Sequence, residues 1–145
     1  MHHDLLTSDM STGVTAIDEL HRDFAWAMQR AASAPDEAFA AEFAMFVKRA
    51  ERTFGIEEHW MEEADCPLLR DHLEQHARVL GALHHLHGQV MAGNLALGRD
   101  VLTNILPQWF RFHVATMDMT LATMMSMAQD DVLIPRHSHA PAHLT

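Results

Sequence analysis

The amino-acid sequence predicts an all-α protein, built as an antiparallel up-down four-helix bundle. Apolar residues recur at helical spacing along most of the 145-residue chain, and no stretch alternates between apolar and polar residues as a strand would. Alanine, methionine, leucine and glutamate outnumber valine, isoleucine and threonine, which is the balance that helices favour. Breaking residues divide the chain into four long segments with short links, and short links favour antiparallel neighbours.

The four helices are predicted at 15–33, 36–64, 67–91 and 99–128. The first link is a short turn that ends at Asp36, which is placed to cap the N-terminus of the second helix. Pro67 stands where the third helix can begin, because proline is tolerated in a first helical turn. Residues 93–98 are predicted to be a looser connection, and Pro107 should kink the fourth helix or break it before Trp109.

Composition excludes several classes of function. Ten basic and twenty acidic residues give a formal net charge of -10 with histidine neutral, which argues against a nucleic-acid partner. The start of the chain does not resemble a secretory signal and there is one cysteine, so a cytoplasmic location is predicted. No membrane span is predicted, since no run of about 18 apolar residues lacks charges. We expect an N-terminal arm at 1–11, one bundle domain at 12–128 and a flexible tail containing histidine and proline at 129–145.

Histidine is unusually abundant, with thirteen residues in the chain. Five of them fall in the predicted arm and tail and are set aside as peripheral: His2, His3, His137, His139 and His143. Helix bundles build metal sites from inward-facing side chains, so the remaining histidines and the carboxylates on apolar stripes are the candidate ligands. The eleven methionines and Cys66 are interpreted as core packing.

The third and fourth helices carry the most informative pairs. His72 and His76 are four residues apart, which places both imidazoles on one helix face. His113 and Asp118 are five apart, which separates them by about 140° in an ideal helix, so a shared metal site needs a bridging geometry or a π-bulge. Asp118 is also the only ionisable residue over 114–127, and a carboxylate in an apolar helix is costly unless it points to water.

The first and second helices supply further candidates. His21 lies four residues beyond Ile17 and three before Phe24, on the apolar stripe of the first helix. Glu57 and Glu58 are adjacent, so one of them can point into the bundle while the other is solvated.

Four motifs follow one another along the chain. They are Gly-Val-x-x-Ile-Asp-x-x-His at 13–21, Phe-x-x-Glu-Glu-x-x-Met at 54–61, a proline at 67 followed by His-x-x-x-His at 72–76, and Trp-x-x-x-His-x-x-x-x-Asp at 109–118. In this order and spacing they resemble the hemerythrins, and the single-domain bacterial members in particular. The resemblance spans about residues 12–127.

The resemblance implies an antiparallel four-helix bundle that holds two non-heme iron ions and binds dioxygen. It also implies that His72, His76 and His113 hold one iron and that His21 helps to hold the other. Glu57 and Asp118 are then expected to bridge the pair. Zinc and manganese are alternative occupants of such a site.

One position departs from the family pattern. The family has a histidine four residues before the bridging glutamate, whereas this chain has Thr53. A threonine hydroxyl is a weak iron ligand, so we expect the second site to be weaker, with Thr53 holding a water or bonding to its own helix backbone. His59 and His87 are poor replacements, because His59 lies about 200° around the helix from Glu57 and His87 about 16 Å along the axis from His76.

Three functions remain open on the sequence alone. The first is a diiron protein that binds dioxygen for storage, delivery or sensing. The second is a redox enzyme of oxidase or peroxidase type, since a missing ligand leaves open positions that admit peroxide or a substrate as well as dioxygen. The third is a mononuclear or degenerate metal-binding bundle that serves as an interaction module.

Overall fold

The structure of the chain, a computed structural model, describes residues 10–133, with side chains described to residue 128. Residues 1–9 and 134–145 lie outside this range, and with them most of the predicted arm, most of the predicted tail and the five histidines set aside as peripheral. Within the described range the chain forms helices and no strand.

Four long helices make up the described chain. The first three are α1 (Thr15–Ala32), α2 (Asp36–Glu63) and α3 (Leu69–Met91). The fourth, α4, runs over 95–133 in five consecutive segments: Leu95–Asp100, Val101–Ile105, Leu106–His113, Val114–Asp118 and Met119–Leu133. The second and fourth of these segments are π-helical. None of the described helices is long and apolar enough to cross a membrane.

The helices pack in a closed order. α1 contacts α2, α2 contacts α3, α3 contacts the first segment of α4, and the second segment of α4 contacts α1. Because the links between them are short, each helix runs antiparallel to the one before it. The predicted fold class, an antiparallel up-down four-helix bundle, is therefore confirmed.

Two apolar clusters fill the bundle. The larger cluster is built around aromatic side chains of α1, α2 and α4, which include Phe24, Phe39, Phe43, Phe46, Phe54 and Phe110. The smaller cluster lies at the end of the bundle where α1 begins and α2 ends, and its buried members are Ile17, Met61, Cys66, Leu121 and Ala122. Cys66 is therefore a core residue, as predicted.

The ends of α4 differ from the sequence prediction. The helix begins at Leu95 rather than at 99, and the Asn94 side chain caps it by accepting a hydrogen bond from the backbone N–H of Leu97 at 3.3 Å. It continues to Leu133, beyond the predicted end at 128. Much of the segment predicted as a loose connection is therefore helical.

Pro107 does not break α4. It lies in the first turn of the third segment, where a missing N–H is tolerated. The π-helical segment Val101–Ile105 directly precedes it, so the helix passes the proline through a wider turn. The predicted break before Trp109 is absent from this part of the chain.

The corner between α1 and α2 is held by a residue distant in sequence. The prediction of Asp36 as N-cap is wrong by one position, because Pro35 precedes the helix and Asp36 is its first residue. Arg99 donates hydrogen bonds to the Asp36 carboxylate at 2.7 Å and to the Ala32 carbonyl at 2.9 Å. Its guanidinium also lies 4.3 Å from the centroid of the Phe39 ring, so Arg99 joins the start of α4 to this corner.

Gly98 allows α4 to approach α2 and α3 closely, and its replacement by alanine should destabilise the bundle. A Cβ at this buried position would lie 2.7 Å from Val90 Cγ2 and 2.8 Å from Phe39 Cε2. We expect Gly98→Ala to lower the free energy of unfolding, measured in urea, by about 1–3 kcal/mol. Gly81→Ala is the control, since its Cβ would meet no atom within 4 Å and alanine favours a helix. Equal stabilities of the two variants would contradict the proposed close packing.

Candidate metal centre

A layer of polar side chains lies between the two apolar clusters. Within the described residues, the buried polar and charged side chains are His21, Thr53, Glu57, His72, His76, His113 and Asp118. On α1, for example, His21 lies between Ile17 of the smaller cluster and Phe24 of the larger cluster. The structure thus brings together all six ligand candidates of the sequence analysis, with Thr53 buried in the same layer.

The first group of donors comes from α2, α3 and α4. The Nε2 atom of His113 lies 3.0 Å from Nε2 of His72 and 3.2 Å from Nε2 of His76. Glu57 Oε1 lies 3.2 Å from Nε2 of His76 and 3.9 Å from Nε2 of His72. These four side chains offer one ligand atom each within 4.8 Å of one another, so they could hold a metal ion.

The second group comes from α1, α2 and α4. Nε2 of His21 lies 3.0 Å from Glu57 Oε2 and 2.9 Å from Asp118 Oδ2. The other oxygen of Asp118, Oδ1, faces the first group, at 2.9 Å from His72 Nε2 and 3.3 Å from His113 Nε2. Each of the two carboxylates therefore presents one oxygen to each group.

A π-helical turn brings His113 and Asp118 to the same site. The segment Val114–Asp118 is π-helical, and its hydrogen-bond period of five residues matches the spacing between the two side chains. On the sequence alone, this pair could share a metal site only through a bridging geometry or a π-bulge. The structure contains the π-helical turn, and the Asp118 carboxylate also spans the two groups of donors.

The tautomers of two histidines make the first group suited to a cation. Nδ1 of His76 lies 3.0 Å from Glu58 Oε2, and Nδ1 of His113 lies 2.9 Å from Gln75 Oε1. Both acceptors require the proton of a neutral imidazole on Nδ1, which leaves a lone pair on each Nε2. Two such lone pairs 3.2 Å apart repel unless a proton or a metal ion lies between them.

Several buried atoms of the layer have no hydrogen-bond partner. They are Nδ1 of His21, Nδ1 of His72, Oε1 of Glu57 and both carboxylate oxygens of Asp118. Buried polar atoms without a partner are rare because each costs desolvation free energy. Carboxylate oxygens that lie near imidazole nitrogens without accepting hydrogen bonds fit metal coordination, so the donor set fits a metal centre.

Aromatic rings pack against the imidazoles. Phe54 lies parallel to His76 with 4.0 Å between ring centroids, and Trp109 lies nearly parallel to His113 at 4.5 Å. On α1, the ring of His21 is met edge-on by Phe110 at 5.3 Å. These contacts restrict ring rotation and keep the polar layer dry on the side of the larger cluster.

Without metal, protonated imidazoles balance the buried carboxylates. Burial lowers the pKa of His21, but the negative charges of Asp118 and Glu57, both within about 3 Å of its Nε2, outweigh the burial and raise the pKa to about 9. The pKa of His76 is raised in the same way, against its burial, by Glu57 and Glu58. Burial opposes ionisation of Asp118, but the surrounding imidazoles hold the pKa of that carboxyl well below its usual range.

The metal-free protein should therefore lose stability as pH rises. The His21 pKa is about 9 in the fold, against 6.5 for an ordinary histidine, so the stability that its protonation contributes is complete below the lower value and is lost as pH rises through the higher one. We expect the melting temperature in chelator to fall between about pH 7 and pH 9. The metal-loaded protein is the control, because metal replaces those protons. A metal-free melting temperature that rises over this range would contradict the assignment.

Other histidines do not replace the family ligand at position 53. His59 is exposed and pairs with Glu63 at 3.3 Å, which confirms that it points away from Glu57. His87 stacks on Phe43 of the larger cluster, with ring centroids 6.1 Å apart. Thr53 itself is buried, with 2% of its surface exposed.

Sequence reasoning missed two residues that contact the site. Glu58 was expected to be solvated, but its side chain is 33% exposed and accepts a hydrogen bond from His76. Gln75 carried no prediction, although it accepts a hydrogen bond from His113. The available signal was adjacency, since Glu58 follows Glu57 and Gln75 precedes His76.

The fold and the polar layer define the class of protein: a four-helix bundle whose buried histidines and carboxylates form two adjoining groups that could hold metal ions. A bacteriohemerythrin of Ralstonia nicotianae (strain ATCC BAA-1114 / GMI1000) is 33% identical over 119 residues, which cover 82% of this chain and 86% of the relative. The chain belongs to the hemerythrin family, a family of oxygen-binding non-heme iron proteins. No protein-family model matches the chain. No solved structure matches it either.

Proposed function

We propose that the chain is a dioxygen-binding protein with two iron sites, of which the second has one imidazole fewer than is usual in the family. The observation that carries the proposal is the placement of Glu57 and Asp118. Each has one oxygen near His21 and the other near the three-histidine group. Carboxylates in that position neutralise two cations at once, which supports a pair of ions.

The proposed ligand roles follow this arrangement. His72, His76 and His113 would hold one iron, and His21 would help to hold the other. Glu57 and Asp118 would be shared by the two. Iron supplies the reversible exchange of electrons with dioxygen when it is bound. The chain fixes the imidazoles by aromatic packing. The two apolar clusters exclude water from the site, which disfavours protonation of bound dioxygen and side reactions with water.

The residue at position 53 favours a second candidate function. The second group contains three protein donors, and the buried Thr53 stands where the family has histidine. Fewer protein ligands leave more positions for an exogenous molecule, and peroxide can then be turned over rather than released. An oxidase or peroxidase is therefore the alternative. A mononuclear site is the third case, in which the three-histidine group alone binds iron, zinc or manganese.

The two sites should fill unequally. Three imidazoles with the two shared carboxylates, Glu57 and Asp118, offer more donors than His21 with the same two carboxylates, so the three-histidine site should bind metal more tightly. We expect a cobalt(II) titration followed by visible absorption to show two steps with different affinities. His84→Ala is the control, because His84 pairs with Glu51 on the surface and its removal should change neither step. Two equal steps would contradict the ranking.

The functional test uses the iron-loaded protein. Reduced protein exposed to air should change its visible absorption and should recover when dioxygen is removed. Net consumption of dioxygen or peroxide over many cycles would favour the enzyme instead. Absence of any iron binding by the wild-type chain would overturn the proposal.

A further inference from the structure

The three imidazoles of the first group differ in what their outer nitrogens contact. Nδ1 of His76 meets a carboxylate, at 3.0 Å from Glu58 Oε2. Nδ1 of His113 meets an amide, at 2.9 Å from Gln75 Oε1. Nδ1 of His72 is buried and has no hydrogen-bond partner. The group therefore contains three chemically distinct imidazoles.

We propose that Glu58 and Gln75 are positioning residues for the metal centre, and that Glu58 makes His76 the strongest donor of the three histidines. Both residues fix the proton on Nδ1, so that Nε2 presents its lone pair to the metal. This inference rests on the proposed function only in that the three-histidine group binds a metal ion.

The geometry on α2 supports a dedicated role for Glu58. Glu57 Oε1 lies 3.2 Å from Nε2 of His76 while Glu58 Oε2 lies 3.0 Å from Nδ1, so adjacent glutamates face the two nitrogens of one ring. Phe54 lies flat against the same ring at 4.0 Å and sets its plane. Side chains from one stretch of α2 thus fix the plane, the rotation and the tautomer of His76.

The charge of Glu58 distinguishes it from Gln75. A carboxylate accepts the Nδ1–H more strongly than an amide oxygen does, and it thereby increases the electron density on Nε2. The Glu58 side chain is 33% exposed, so its charge keeps part of its hydration while it contacts a fully buried ring. Glu58, as a charged partner at the edge of the site, therefore strengthens His76 as a ligand, and no second charge is needed to balance its carboxylate.

A second contact between a glutamate of α2 and a histidine of α3 provides a control that separates this role of Glu58 from a general effect on stability. Glu51 also contacts a histidine, His84, at 2.7 Å, but both side chains are about half exposed and neither belongs to the two groups of donors. Substitutions at Glu51 and Glu58 remove the same charge from the same helix. Only the Glu58 substitutions should change metal binding.

The experiment measures cobalt(II) affinity of the full chain by competition with a chelator. We expect Glu58→Ala to weaken the tighter site by about 10–100-fold, and Glu58→Gln to weaken it less because an amide oxygen can still accept the proton. Glu51→Ala and Glu51→Gln should leave the cobalt affinity within about 2-fold of wild type, because Glu51 contacts none of the metal-binding histidines. Gln75→Glu should act in the opposite direction and tighten binding, since it supplies His113 with a charged acceptor.

A second readout reports the tautomer directly. In the zinc-loaded wild type, nitrogen-15 NMR of the histidine rings should show a protonated Nδ1 on His76 and on His113, and Glu58→Ala should shift the His76 signal and speed its exchange with solvent. Circular dichroism of the metal-free variants checks that they fold. Equal affinities of Glu58→Ala and Glu51→Ala with an unchanged His76 signal would overturn the inference while leaving the proposed function intact. Absence of cobalt binding by the wild type would overturn both.

Discussion

Replacing Glu57 with glutamine is expected to reduce bound iron from about two ions per chain to fewer than about one. Glu57 Oε1 faces His76 at 3.2 Å and Oε2 faces His21 at 3.0 Å, so one substitution removes negative charge from both groups of donors. Glutamine has nearly the same volume, so the buried position remains filled. A neutral amide cannot balance two cations, and both sites should weaken together.

The control for this substitution is Glu63→Gln, on the same helix. The Glu63 side chain is 67% exposed and pairs with His59 at the surface, so its removal changes the net charge equally without touching the polar layer. Iron is measured by elemental analysis after reconstitution under reducing conditions. If Glu57→Gln still holds two ions per chain, the carboxylate is not shared and the paired arrangement is wrong.

Replacing Thr53 with histidine is expected to raise the affinity of the second site and to prolong the lifetime of the oxygenated protein. Thr53 is buried one helical turn before Glu57, so a side chain there is directed toward the same layer. An imidazole supplies the donor that the second group lacks. With fewer open positions at that metal, any turnover of peroxide should fall.

Arg52→His is the matched control for the added imidazole. Position 52 is the neighbouring residue on α2 and is exposed, so a histidine there adds a donor to the surface only. Iron content and visible absorption on exposure to air are compared for wild type, Thr53→His and Arg52→His. A wild type that already binds dioxygen stably and reversibly, with no change in Thr53→His, would show that Thr53 does not limit the site. The peroxidase alternative would then lose its support.

The sequence singled out the six ligand candidates in two ways: most are ionisable side chains within apolar helical segments, and the resemblance to the hemerythrins chose Glu57 over its neighbour Glu58. Burying one such group alone is costly, so a bundle that carries several must bring them together or expose them. The i, i+4 spacing of His72 and His76 depends only on helix geometry. The five-residue spacing of His113 and Asp118 was less informative, because the sequence did not distinguish a π-helical turn from a shared carboxylate.

The features that escaped prediction depend on contacts between helices. The glycine at position 98 indicated a loop, whereas the bundle uses Gly98 to bring α4 against Phe39 and Val90. Glu58 and Gln75 could not be assigned because their roles depend on how the rings of neighbouring helices are rotated. Local sequence patterns carry no information on that rotation.

The stacking of Trp109 on His113 gives the protein an internal optical reporter. The two rings are 4.5 Å apart and inclined by 18°, so a metal ion bound to His113 would lie close to the indole. An open-shell ion bound to His113 would quench the fluorescence of the stacked indole, whereas closed-shell zinc would not. Trp26 is 58% exposed on α1, and its emission belongs to a hydrated indole at longer wavelength. A metal ion in the three-histidine group would therefore change the light that Trp109 emits, with no added dye.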